Sequence, residues 1–286
     1  MQARLCALHL LEPGRGQLLC EGPKLGGGMP RGTTSVLTAQ HDPLYQDMNK
    51  KFGEEKAGLY LKANLRAVEQ FRRRSRDIPC EFEERPSIMY SLHDRALMQR
   101  EAAAVRSLGF AADFITETPM PFPVAGAVRF NGMAQFHPLR FLYGAARGLH
   151  IYENTFVTKL EGTTAITKRG RIHAEKVIVA THFPFINSHG LYFAKLYQKR
   201  SFVIALENGP GLGCTIEDAA AGGVYLRNYK NLLLVGQGDR RTGGRGGGFD
   251  VPRAFAKKHF PKAREKFAWA NQDCVSLDGV PYIGAY

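Results

Sequence analysis

The run Gln17-Leu18-Leu19-Cys20-Glu21-Gly22 is the most constraining feature of this sequence. A short apolar stretch that ends on a carboxylate and turns at glycine reads as a buried strand with an acidic end. In a nucleotide-binding βαβ unit, a carboxylate in that place accepts hydrogen bonds from ribose hydroxyls. It follows the Gly-rich phosphate turn by about 20 residues. Counting back from Glu21 reaches the chain start, so the GxGxxG turn and its strand are expected before Met1. Gly26-Gly27-Gly28 does not replace it, because no helix is expected to follow with the right placement.

The rest of the pattern is mixed. Tyr45, Met48, Phe52, Ala57, Leu61, Leu65, Val68 and Phe71 recur at helical spacing, predicting one long helix over 43–76. Further helices are predicted over 3–11, 94–108 with Gly109 at its C-terminal turn, 138–147, 253–260 and 263–269. The Pro-rich, aromatic stretch 116–136 reads as extended segments of an antiparallel region. Strands are predicted over 149–152, 155–160, 201–206, 223–227 and 232–236, and a hairpin around 161–170. Val177-Ile178-Val179-Ala180 reads as a strand buried on both faces. The expected fold class is therefore mixed α/β. Its parallel part is assembled from residues 1–80, 150–190 and 270–286, and an antiparallel-sheet domain is inserted as 81–149 and 191–269.

Charge and cysteine content narrow the function classes. The net charge is +13, but the basic residues are dispersed. The dense run Arg72-Arg73-Arg74-Ser75-Arg76 suits a solvated helix C-terminus, where cations meet the macrodipole. No nucleic-acid-binding motif accompanies it, so no nucleic-acid partner is expected. Five scattered cysteines without zinc-site spacing fit free thiols in a cytoplasmic protein, with no metal site. No apolar run is long enough to span a membrane, and no secretory signal is recognised. The sequence specifies no oligomeric state.

Several segments carry a resemblance. Glu21-Gly22-Pro23-Lys24-Leu25-Gly26-Gly27-Gly28, then Gly32-Thr33-Thr34-Ser35-Val36-Leu37-Thr38-Ala39-Gln40-His41, resembles the D-amino-acid oxidase/glycine oxidase-like family of FAD-dependent oxidoreductases. The stretch from Asn154 to Glu161 is similar to that family's adenine-pairing strand. The stretch from His173 to His182 is similar to its late strand beside the flavin nucleotide, with His182 where a glycine is usual. Leu277-Asp278-Gly279-Val280-Pro281-Tyr282-Ile283-Gly284 looks like its D-G-x-P-x-I-G signature. The resemblance spans about residue 5 to 286 and is nearest to members that continue into a C-terminal Rieske domain, whose cluster ligands this chain lacks. Both ends therefore look truncated, the second just before a flavin-facing turn.

The resemblance implies a Rossmann-like FAD domain, FAD as cofactor, and oxidation of the C–N bond of a small amine or amino acid by hydride transfer to flavin. It implies cofactor contacts from Glu21, Gly32, Thr33, Thr34, Gln40, Val157, Ala180, Thr181, Pro281 and Ile283, with Gln40 and His41 towards the flavin ring. On the substrate side the candidates are Arg129, Gln135, His137, Tyr225 and Arg227, an arginine being suited to clamp a carboxylate in bidentate fashion. The alternative is an inactive flavoprotein-like scaffold that does not retain FAD.

Overall fold

The computed structural model describes residues 16–183, 185–186 and 191–284. The helix expected over 3–11 lies outside them. The first half of the chain runs β1 (Leu18–Cys20), α1 (Met29–Gly32), β2 (Val36–Leu37), α2 (Tyr45–Phe52), α3 (Glu54–Arg74), β3 (Glu83–Glu84), β4 (Ser87–Ser91), α4 (Arg95–Ser107), β5 (Ala112–Ile115), β6 (Gly126–Phe130), β7 (Ala134–Gln135) and α5 (Pro138–Ala145). There follow β8 (His150–Tyr152), β9 (Val157–Glu161), β10 (Thr164–Thr167), β11 (Gly170–His173), α6 (Tyr192–Lys195), β12 (Leu196–Glu207), β13 (Thr215–Asp218), β14 (Tyr225–Tyr229), β15 (Leu232–Gly236), β16 (Arg240–Arg241), α7 (Asp250–His259) and β17 (Arg264–Ser276).

A nine-stranded sheet dominates, in the order β16-β12-β15-β14-β13-β4-β6-β5 with β17 along the other edge of β12. Its pairs are antiparallel except β13–β4. Successive side chains on a strand face opposite ways, and β4 shows this plainly. Ile88 and Tyr90 join a core that reaches Ile204, Ile216, Leu226 and Phe260. Met89 between them joins Val128, Phe130 and the apolar stripes of α3 and α4, Leu61, Val68, Met98 and Val105. Burying each such side chain is worth about 1.5–3 kcal/mol. β1 and β8 form a separate parallel pair, Leu18 opposite His150.

The predicted helix over 43–76 is two helices, broken where Gly53 takes φ 84°. The N-terminus of α2 is capped from another helix. Its own N-cap, Leu44, has no side-chain acceptor. Glu101 of α4, only 1% exposed, accepts from Tyr45 N at 2.8 Å and Gln46 N at 3.0 Å. Glu101→Gln is expected to lower stability by about 1–2 kcal/mol in urea or thermal unfolding, since an amide retains one acceptor oxygen where two are used.

Three other expectations are corrected. Residues 263–269 form no helix: they open β17, which pairs with β12 from Leu196↔Ser276 to Glu207↔Arg264. That long ladder overrides the helical propensity of Ala263-Arg264-Glu265-Lys266, all good helix formers. Residues 177–180 form no strand, and Val177, Ile178 and Val179 are 37%, 52% and 43% exposed. A strand needs a hydrogen-bonded neighbour, and none of the described residues pairs with this run. Gly28 is followed by a helix after all, the four-residue α1. The basic run at 72–76 does close α3, with Arg72 ion-paired to Glu69 and Glu84.

Candidate active site

Two neighbouring cavities lie where the Thr33–His41 segment meets the large sheet. The smaller, about 280 Å³, is lined by Gln40, His41, Thr215, Glu217, Tyr225 and Arg227 among others. The larger, about 880 Å³, runs along Gly27, Gly28, Gly32, His137, Trp269 and Asn271. Thr33, Thr34, Leu234 and Arg227 line both.

Local geometry holds this segment in place. Ser35 takes φ 58°, and its N–H donates to Thr33 Oγ1 at 3.2 Å. The Gly32 carbonyl accepts from Trp269 Nε1 of β17 at 2.9 Å. A Cβ on Gly32 would lie 2.7 Å from Asn271 Cγ, so glycine is needed for this close approach. Arg227 crosses from β14, its Nη1 donating to Ser35 O at 2.9 Å and Phe136 O at 3.4 Å. Its side chain has no carboxylate within ion-pair distance among the described residues, and its Nε is buried without a partner. Burial lowers its pKa to about 10.

Gln40 is 2% exposed; its Nε2 donates to Val128 O at 3.0 Å, while its Oε1 is buried and unpartnered. His41 stands in a concave wall with its ring still open to solvent, Nε2 3.4 Å from Asn64 Oδ1. Desolvation lowers its pKa, against the Asn64 hydrogen bond and Asp42. Tyr225 lies over Gly236, whose added Cβ would fall 1.8 Å from the ring. Only glycine leaves room for that ring on the sheet.

The other expected site residues are placed unevenly. Glu21 directly follows β1, its N–H donating to Tyr152 O and its carbonyl accepting from Thr155 N, so it shares an end of the parallel pair with the approach to Val157. Ala180 and Thr181 precede His182, whose φ of 68° is the conformation a glycine would supply there. His182 Nε2 accepts from Cys274 N at 3.0 Å, tying this segment to β17. His137 caps α5, Nδ1 accepting from Arg140 N at 3.4 Å, while lining the larger cavity. Pro281 and Ile283 lie exposed, Ile283 by 87%, and line neither cavity. Gln135 is buried and bonded to Glu83 at 2.8 Å, away from both.

Arg129 is not brought to either cavity. The β5–β6 register sets it opposite Asp113, and the two form an ion pair at 2.9 Å. The residue that sequence reasoning missed is Glu217. Only the alternation Thr215-Ile216-Glu217, two polar residues on one strand face, hints at it.

A family model for FAD dependent oxidoreductases, DAO, matches residues 5–286 of the chain. The chain belongs to that family. Its sequence is also 29% identical over 299 residues to a Bacillus subtilis (strain 168) protein named Rieske 2Fe-2S iron-sulfur protein YhfW, covering 97% of this chain and 59% of that one. The chain thus spans less than two thirds of the length of this curated relative. Among solved structures, L-proline dehydrogenase from P. horikoshii superposes with a TM-score of 0.77 at 16% identity, covering 99% of this chain and 81% of that one. Glycine oxidase from Geobacillus kaustophilus gives 0.68 at 19% identity, with 94% and 79% covered. These likenesses establish the mixed α/β fold of FAD-binding, Rossmann-type enzymes.

The family's cofactor is FAD. The residues lining the cavities fit it in part of its length. Thr33 and Thr34 offer hydroxyls, a Cβ on Gly28 would meet nothing within 4 Å, and the buried, unpartnered atoms Gln40 Oε1, Thr215 Oγ1 and Arg227 Nε belong to side chains of the smaller cavity's wall. That donor and acceptor set suits a polar, ring-bearing ligand between the loop and the sheet. Among the described residues no helix is long and apolar enough to cross a membrane.

Proposed function

We propose that the chain holds FAD between the Thr33–His41 segment and the large sheet, and that the protein oxidises the C–N bond of a small amino acid or amine. The supporting observation is the shared wall of the two cavities, Thr33, Thr34 and Arg227. Bound there, FAD supplies the hydride acceptor. Glu21 would hold the ribose and Thr33 and Thr34 the pyrophosphate. Val157, Ala180 and Thr181 would line the nucleotide, and Pro281 and Ile283 would close on it from the C-terminal segment. Gln40 and His41 would border the ring. Arg227 orients the substrate: its buried Nε, without a partner, is matched by a carboxylate oxygen.

Titration of the chain with FAD tests this reading. The expected result is saturable quenching of flavin fluorescence, oxidised-flavin absorption that survives gel filtration, and bleaching of that absorption by one of a panel of amino acids under anaerobic conditions. Absence of saturable binding favours the second reading, a scaffold that does not retain FAD. That reading draws on one observation: Val177, Ile178 and Val179, expected in a buried strand beside the nucleotide, are solvent-exposed.

A further inference from the structure

The smaller cavity carries opposite charges that do not neutralise each other. In the antiparallel register of β13 and β14, Ile216 faces Leu226 and Glu217 faces Tyr225. Because side chains alternate between faces, Thr215 and Glu217 share one face with Tyr225 and Arg227, and all four line this cavity. Glu217 is the one carboxylate among its lining residues, and Arg227 the one permanent cation. They are diagonal neighbours across the strand pair, roughly 7–8 Å apart at the backbone. No ion pair joins them: Arg227 Nη1 is given to the carbonyls of Ser35 and Phe136. An α-amino acid carries its ammonium and its carboxylate on one carbon, and it fits between two such groups with the charges matched.

We infer that Glu217 receives the ammonium group of a zwitterionic amino-acid substrate and takes its proton, while Arg227 holds the carboxylate. The inference rests on the amino-acid reading of this cavity given above. In the step, one N–H bond of the ammonium breaks and its electron pair stays on nitrogen. An O–H bond forms on the Glu217 carboxylate, and no atom changes oxidation state. The neutral amine that results can release hydride from its α-carbon, which an ammonium cannot.

The surroundings suit this task. Burial, then Asp42, Asp218 and Asp239, push the Glu217 carboxyl up to about 7, against the opposing pull of Lys199 from β12. Tyr225 is its neighbour across the strand pair, and His41 lines the same cavity. A carboxylate so placed is a competent proton acceptor near neutral pH.

The test is calorimetric binding to the FAD-loaded chain of matched probes, glycine against acetate and L-proline against cyclopentanecarboxylate. At about pH 8 the amino acids are expected to bind on the order of tenfold more tightly than the amine-free acids, as one charged hydrogen bond would give. The preference should fade at about pH 6, where Glu217 is protonated. Glu217→Gln should abolish the preference and its pH dependence, with acetate and cyclopentanecarboxylate affinities unchanged. For whichever amino acid reduces the flavin, the rise of kcat/KM with pH through about 7 should vanish in the same variant. A preference that persists in Glu217→Gln with its pH dependence intact overturns the Glu217 assignment and leaves the Arg227 clamp standing. If wild-type protein binds the amine-free acids but shows no preference for the amino acids, Glu217 is likewise excluded. If it binds none of the four probes, the amino-acid reading falls and the inference with it.

Discussion

Arg227→Met is expected to change stability by no more than about 1 kcal/mol while lowering kcat/KM for an amino-acid substrate by about a hundred- to a thousandfold, chiefly through KM. Two terms oppose each other in the folded chain. The hydrogen bonds from Nη1 to Ser35 O and Phe136 O contribute about 1.5 kcal/mol each, as bonds from a charged donor. Burial of a guanidinium without a carboxylate partner, which lowers its pKa to about 10, costs about 3 kcal/mol. The two nearly cancel, and methionine keeps most of the packed volume. A side chain that contributes so little to stability, yet stands 4% exposed on the wall of both cavities, has its use in binding. Thermal unfolding and steady-state kinetics on one preparation check the two halves. A loss of 3 kcal/mol or more would instead make Arg227 a structural clip between the loop and the sheet.

Glu217→Gln is expected to stabilise the protein at alkaline pH even as it impairs turnover. The folded-state carboxyl sits at about 7, above the ordinary 4.5. Between those values the native state holds more protons than the unfolded chain, so wild-type stability falls as pH rises through that window. Glutamine does not titrate. Its advantage should be absent at about pH 4 and reach about 2 kcal/mol above pH 7, partial solvent access trimming the value that the full shift implies. Unfolding midpoints at the two pH values measure this directly. A stability difference that does not vary with pH would show that Glu217 is not held protonated by its surroundings. A residue whose ionised form costs stability is the kind that function retains.

Much of this protein is legible along the chain because the signals are local. The helix from Arg95 to Ser107 announces itself by Asp94, whose Oδ1 caps Leu97 N at 2.7 Å, and by Gly109, at φ 87°. The segments Gly32–His41 and Leu277–Gly284 carry the family resemblance as linear motifs, and the family assignment bears it out. Those features depend on the chemistry of neighbouring residues, which any reader of the sequence sees.

The failures share the opposite cause. Ala263-Arg264-Glu265-Lys266 favours a helix, yet a ladder to β12, about sixty residues earlier, makes it a strand. Arg129 reads as a free substrate clamp until the β5–β6 register sets Asp113 across from it. Thr-Ile-Glu-Asp at 215–218 carries no motif, and no strand is predicted there from the sequence. Glu217 becomes a proton acceptor only because the β13–β14 register sets it beside Tyr225 and Arg227, and because Asp42 and Asp239 arrive from distant segments. The sequence by itself determined the family, the cofactor class and most helices, since capping groups and loop motifs act within a few residues. The tertiary structure alone decided which charged groups share a cavity, since strand register and desolvation are set by partners tens to hundreds of residues away.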